Sequence, residues 1–394
     1  MAAAWRSALP LIFVAALIAF EERVSVPSCE TAGGGAEGQR PEDLKVMMVA
    51  DLLLLGPHAG FANFYFRHAY ATKFFRKSFE KLKPDMLIVL GDVSAKGFKI
   101  TNSKWLSLLQ QFQRMLGPFL GLPLHIVLGD RDIGVCTNIN EKSVGHIANH
   151  LPGLDSSGCG TFEISNISFV SLNAVALLCR NNNLRFSVEK VIESESLDLR
   201  TRAKGMEEEA VSGQLSCFSD FCWRENVASA GSGPVLLLHF PLHRTTRSSC
   251  DGVVPRRNLW QIIPETHESS GQLDRRLAGA GPYELRHTLP PNDTEYILQA
   301  LKPRIVFSAH THQFCDHIHV DGTREVTVPA MSWTARDDPG FIFVTFGQNK
   351  VVTVSHCSLA RESHVLLAYI SIFILLIATT LVMSNSHLTN LFVP

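Results

Sequence analysis

The stretch VLGDRDIG, Val127 to Gly134, carries an apolar run straight into two acids that flank an arginine. The full run LHIVLGD closes on Asp130, and two earlier runs end the same way, KVMMVAD on Asp51 and DMLIVLGD on Asp92. One acid at the end of an apolar run is ordinarily a turn or helix cap. Three such acids point to strand ends on an α/β sheet, where open sheets bind their ligands. Two later runs end in histidine: PVLLLHF gives His239, and RIVFSAHTH gives His310 and His312. Residues two apart in an extended segment point the same way, so His310 and His312 are expected to share a face.

A lone histidine in an apolar run is more often a core residue than a ligand. The ordered set Asp51, Asp92, Asp130, His239, His310 and His312 carries the metal reading. Carboxylate and imidazole together suit hard or borderline divalent ions such as manganese, iron or zinc. Two ions about 3.5–4 Å apart need roughly this many ligands, with one carboxylate bridging them. His317 and His319 in DHIHVDG alternate ahead of an Asp-Gly turn and are read as structural or surface residues of a hairpin.

Other β-branched runs (FEISNISFVSLN, EVTVPAMS, FIFVTF and VVTVSHC) extend the strand pattern to about residue 360. Helical periodicity falls at 68–83 and 105–116. Strands first alternate with helices and then follow one another closely, which predicts an α/β layered sandwich with mixed sheets over 43–360. Residues 180–232, polar and rich in Glu, Arg and Ser, read as a surface insertion with an exposed helix near 188–209. The chain has 394 residues, 46% apolar and 19% charged, enough to bury a sizeable core. A net charge of −1 and the lack of a basic run exclude bulk attraction of nucleic acid.

Both ends are apolar. Leu9–Phe20 lies in a segment, 1–23, read as a signal anchor or signal peptide, since a span needs about 20 residues. The Gly-rich 24–42 reads as a flexible linker. Val365–Met383 has 19 residues and no charge and reads as a transmembrane helix, with 384–394 a short tail. Arg6 before the first segment places the middle of the chain in a lumen or outside the cell. Sequons at Asn166 and Asn292 accord with that side. Nine cysteines suit an oxidising compartment, with an odd count that leaves at least one unpaired and a connectivity the sequence does not give.

The order DLL (51–53), GD (91–92), GDRD (129–132), His239 and AHTH (309–312) resembles the calcineurin-like metallophosphoesterase superfamily. VADLLLLG, VLGDRDIG, SLNAVAL, LLLHFPLHR and VPAMSW look like its membrane-bound branch that remodels glycosylphosphatidylinositol (GPI) anchors. The resemblance implies a four-layer α/β/β/α sandwich with mixed sheets and terminal membrane segments. It implies a first ion on Asp51, Asp92 and His312, and a second on Asp92, Asp130, His239 and His310, with Asp92 bridging. Such ions activate a water for attack on phosphorus and neutralise charge on the phosphoryl oxygens.

Three positions depart from the pattern. Leu53 stands where a histidine ligand is expected, and His58 nearby carries no sign of replacing it. Asp130 replaces an asparagine ligand. Arg131 replaces a histidine that steadies the phosphate and protonates the leaving oxygen; arginine grips phosphate oxygens but does not give up a proton. Asp132 is expected to orient Arg131 or a neighbouring loop, or to be a turn carboxylate, and Arg131 with Asp132 form the catalytic pair. The implied activity is removal of ethanolamine phosphate from a mannose of GPI anchors at the endoplasmic reticulum or Golgi membrane, catalytic domain lumenal, aiding export. GPI-anchored proteins or GPI glycolipid are then the partners. The alternative is an impaired relative that binds GPI-linked cargo or lipid without hydrolysis. A phosphoprotein phosphatase fits the lumenal orientation poorly.

Overall fold

The computed structural model describes residues 2–32, 43–56, 60, 62–179, 183–212, 233–244, 288–347 and 351–391. Among the described residues twelve strands, β1 to β12 in chain order, form two six-stranded mixed sheets. The first runs β1 (Ser28–Ala32), β12 (Val352–Ser358), β11 (Gly340–Phe346), β2 (Leu44–Val49), β3 (Met86–Leu90), β4 (Leu124–Val127). The second runs β5 (Gly160–Ile164), β6 (Ile167–Ser171), β7 (Val235–Leu237), β8 (Ile305–Ser308), β10 (Arg324–Thr327), β9 (Cys315–Ile318). β2, β3 and β4 are parallel, as are β6, β7, β8 and β10, so the exits of these strands gather at one end of each sheet.

The strands read as continuous apolar runs because both faces are covered. Val46, Met48, Met86, Ile88 and Val127 point between the sheets, against Phe169, Val235, Leu237, Ile305, Phe307 and Val326. Their neighbours Met47, Val49, Leu87, Val89 and Ile126 point outward, into helices 68–82 and 102–116 through Phe74, Phe75, Trp105, Leu108 and Phe112. Helices 183–212 and 291–301 cover the second sheet. The result is the expected α/β/β/α sandwich. Its core is sensitive: truncating a fully buried Phe such as Phe112 to Ala costs about 3–5 kcal/mol.

Three expectations need correcting. The segment 24–42 is not linker throughout: Ser28–Ala32 is β1, paired to β12 in a register that sets Cys29 opposite Cys357, and those two form a disulfide. The segment 180–232 is not a mere surface insertion. Leu184, Val188 and Ile192 recur every four residues on helix Asn183–Ser212 and are buried in the helical layer. The C-terminal helix runs from Glu362 to Leu391, so 384–391 continues the helix. DHIHVDG forms the expected hairpin with β10, and His319 is a structural residue there, buried and bonded to Glu325. His58 and 213–232 lie outside the described residues.

Cys136 and Cys179 form a second disulfide, and Cys159 is free and buried. Glu362–Val382 is the one stretch among the described residues long and apolar enough to cross a membrane.

Candidate metal centre

Each acid or imidazole singled out on sequence sits where a parallel strand leaves its sheet, and the backbone there turns sharply. Asp51, Leu53, Asp92, His310 and His312 all have left-handed φ, between 51° and 65°. For residues with a Cβ this costs about 1–3 kcal/mol each and persists where the surroundings over-determine it. His310 and His312 therefore do not share a face by strand alternation. The loop after β8 is not extended, and two left-handed residues turn both rings inward.

Two glycines make the approach possible. A Cβ at Gly91 would strike the His239 ring, and one at Gly129 would strike the Asp92 carboxylate. Their signal was the glycine of each Gly-Asp pair. His239 is fully buried, and its Nδ1 donates to Leu90 O at 2.7 Å. A carbonyl only accepts, so Nδ1 carries a proton and Nε2 is the nitrogen that faces the carboxylates, 3.2 Å from Asp130 Oδ1 and 3.5 Å from Asp92 Oδ1, free to serve as a ligand once its own proton is displaced. His310 Nδ1 lies 3.1 Å from the same Asp130 oxygen, and His312 Nε2 lies 3.9 Å from Asp51 Oδ1.

Two clusters bring their donor atoms within 4.8 Å of one another: Asp51, Asp92 and His239, and Asp130, His239 and His310. His239 stands in both clusters, and Asp92, the expected bridge between two ions, stands in the first. His312 stands just outside, beside Asp51. Leu53 fills the position of the missing histidine as a buried apolar side chain, its N–H donating to Asp92 O at 3.0 Å.

Asp132 uses both oxygens on backbone, accepting from Ser94 N at 2.8 Å and Gly129 N at 3.1 Å. It ties the β4 exit loop to the β3 exit loop and is a positioning residue. Arg131 is fixed at its backbone, whose N–H donates to Asp92 Oδ1 at 2.9 Å. Its guanidinium lies 3.6 Å from Asp92 Oδ2 and is 46% exposed, which puts it at the mouth.

The electrostatics show what this cluster lacks. Burial pushes Asp51 up to about 7 and Asp92 well above the ordinary carboxylate range, opposed in each case by His239. At Asp130 burial also disfavours charge, but hydrogen bonds from His239 and His310 overcome it and hold the carboxyl below its usual range. For His239, burial disfavours the proton, yet Asp92 and Asp130 lift it to about 10. Burial, with His310 and Arg131 nearby, lowers His312 to about 3, leaving a neutral imidazole ready to donate a lone pair. Both oxygens of Asp51 are buried with no hydrogen-bond partner. Bare buried carboxylate oxygens are costly unless a cation meets them. The donor set, oxygen and imidazole, fits divalent ions.

Cations held this way at strand ends, with a guanidinium at the mouth to grip an anion, suit the polarising of phosphorus–oxygen bonds. A metal-dependent phosphoesterase is the class that this sandwich and this site define. The chain belongs to the calcineurin-like phosphoesterase family, whose sequence model matches residues 44–314.

It is similar to Metallophosphoesterase 1 of Pongo abelii, 27% identical over 357 residues, which cover 89% of this chain and 80% of that one. It is also similar to the Metallophosphoesterase 1 homolog of Drosophila melanogaster, 25% identical over 340 residues, covering 85% and 80%. Among solved structures, a dimetal phosphatase from Danio rerio aligns with TM-score 0.43 at 12% identity, covering 79% of this chain and 98% of that one.

Proposed function

We propose that the chain is a dimetal phosphodiesterase of the early secretory pathway that removes ethanolamine phosphate from a mannose of GPI anchors, with manganese the favoured metal and iron or zinc the alternatives. The observation that carries the hydrolytic reading is the buried Asp51 carboxylate, without a hydrogen-bond partner among Asp92, His239 and His312. Bound ions would supply Lewis acidity toward the phosphoryl group. Asp51, Asp92, Asp130, His239, His310 and His312 would hold them. Asp132 fixes the loop that carries Arg131, and Arg131 orients the phosphate and offsets its charge without donating a proton.

The membrane and lumenal assignments are part of the same proposal. The Glu362–Val382 helix supports a tether. The Cys29–Cys357 and Cys136–Cys179 disulfides suit an oxidising lumen. Both sequon asparagines, Asn166 in the β5–β6 turn and Asn292 at the start of helix 291–301, are exposed. The GPI substrate rests on the motif resemblance.

Purified full-length chain in detergent tests the proposal. Metal content is measured first, then turnover of an activated aryl phosphodiester, an alkyl phosphodiester and a GPI glycolipid bearing ethanolamine phosphate. Release of ethanolamine phosphate that Asp92→Asn abolishes is the expected result; aryl turnover with an untouched glycolipid would retire the substrate assignment. A second reading, binding of GPI-linked cargo or lipid without hydrolysis, is favoured by Leu53 in a ligand position and by an arginine in place of the proton donor. A chain with no bound metal and no turnover of any ester would support it.

A further inference from the structure

Beneath the metal-site loops lies a second polar cluster, centred on Glu325 of β10, which is fully buried. One of its oxygens accepts from Leu242 N at 3.0 Å and from Ser308 Oγ at 2.7 Å. The other meets His319 Nε2 at 3.0 Å and the Arg244 guanidinium at 3.4 Å. Arg244 is held in turn by Thr327 Oγ1, which accepts from Nη2 at 2.7 Å. Its partners flank the metal ligands in sequence. Leu242 is three residues after His239, and Ser308 is two residues before His310.

A single carboxylate oxygen thus receives a donor from each of the two loops that carry the imidazoles. These loops also touch directly, through Ala309 N donating to His239 O at 2.9 Å. Burying a Glu–Arg pair contributes little net stability, because desolvation offsets the attraction. It does fix geometry when every donor is satisfied. The loop after β8 needs such fixing, since His310 and His312 both stand in a backbone region that relaxes unless held.

We propose that Glu325 is a positioning residue of the metal centre, setting the separation of His239 from His310 and His312 by clamping the β7 and β8 exits from below. The inference rests on the metal-centre reading and adds to it a residue that sequence motifs do not mark. The clamp acts through Leu242 and Ser308; Arg244 and His319 keep the carboxylate charged and oriented.

The test is metal affinity of the full-length chain in detergent, measured with Mn²⁺ and with Co²⁺ by competition with a chelator, beside the melting temperature. Glu325→Met, which removes both acceptor oxygens at similar side-chain length, is expected to weaken metal binding about 10–100-fold, the usual effect of losing a partner that orients ligands. Val326→Ala, a core truncation on the same strand, is expected to lower the melting temperature and leave metal affinity unmoved. Should Glu325→Met fail to fold, Ser308→Ala removes one donor and keeps every charge, and a weakened metal affinity is again expected. Wild-type affinity in the folded Glu325 or Ser308 variant overturns the inference, as does an equal loss in Val326→Ala. A wild-type chain that binds neither ion overturns the metal-centre reading along with it.

Discussion

At the residue scale, the exchange of histidine for arginine at 131 has a chemical consequence that separates substrates by leaving group. General acid catalysis is worth about 10²–10⁴ in rate, and an arginine cannot supply it. An aryl oxide leaves without a proton; a sugar alkoxide does not. Arg131→His is therefore expected to raise alkyl-ester turnover by up to about 10²-fold while aryl turnover changes little. Side-by-side kinetics on the two esters decide it, and equal effects on both would show that no proton donor was missing. Gly129 makes a second prediction, because its missing side chain is what lets the loop close on Asp92. Gly129→Ala is expected to reduce turnover by at least about 10²-fold, as loss of a charge-stabilising contact does, with metal content falling in parallel; a variant retaining full metal content would refute the steric argument. These residues were legible in the sequence as types in an order. Their conformations were not. Period-two reasoning put His310 and His312 on one face of a strand, whereas two left-handed residues in a loop bring them inward. No linear pattern marked Glu325, since its partners Leu242 and Ser308 lie 83 and 17 positions away.

Elements follow from the sequence where periodicity is long and fail where pairing is distant. Helix 102–116 and the strands that bear the site acids were readable because each buries a face within its own length. β1 was not, because five residues after a helix become a strand only when β12, far along the chain, offers an edge. Helix 183–212 was read as solvated because its charged residues outnumber the stripe of Leu184, Val188 and Ile192. Between elements, β4 and β6 meet at His125, whose Nε2 lies 2.8 Å from Ser171 Oγ with the ring against Phe162. Burial lowers this imidazole to about 4, so the unfolded chain, near 6.5, binds its proton more readily than the native one. The contribution is complete above pH ~6.5 and is lost as pH falls toward 4, roughly 3 kcal/mol over that window. Denaturant unfolding at pH 7 and pH 4 checks the sign. Wild type is expected to lose more stability than His125→Gln across the interval, and equal losses would assign the acid sensitivity to other groups.

For the whole molecule, the terminal helices and the sandwich form a connected mount. The helix Ala2–Val24 packs along the C-terminal helix. Glu21 pairs with Lys73, and Arg67 makes a two-pronged ion pair with Glu362 at 2.7 and 3.0 Å. Phe66 stacks on Trp333, Tyr70 packs against both at a tilt, and Phe66 reaches Tyr369 on the C-terminal helix. Just inside both helices, the Cys29–Cys357 disulfide joins their roots across a sequence separation of 328. Closing so long a loop restricts the unfolded chain more than any local contact, with a stabilisation on the order of 5 kcal/mol at the upper end of the usual range. The paired variant Cys29→Ala/Cys357→Ala is then expected to melt roughly 6 °C lower. Its metal affinity should hold, because β1 and β12 form one edge of the first sheet while the site acids leave β2, β3 and β4 further across it. Differential scanning of the two proteins with and without reductant provides the measurement. Reductant should bring wild type toward the variant; a melting temperature insensitive to both changes would mean that the β1–β12 pairing and the Glu21 and Glu362 ion pairs hold the roots together without the covalent link.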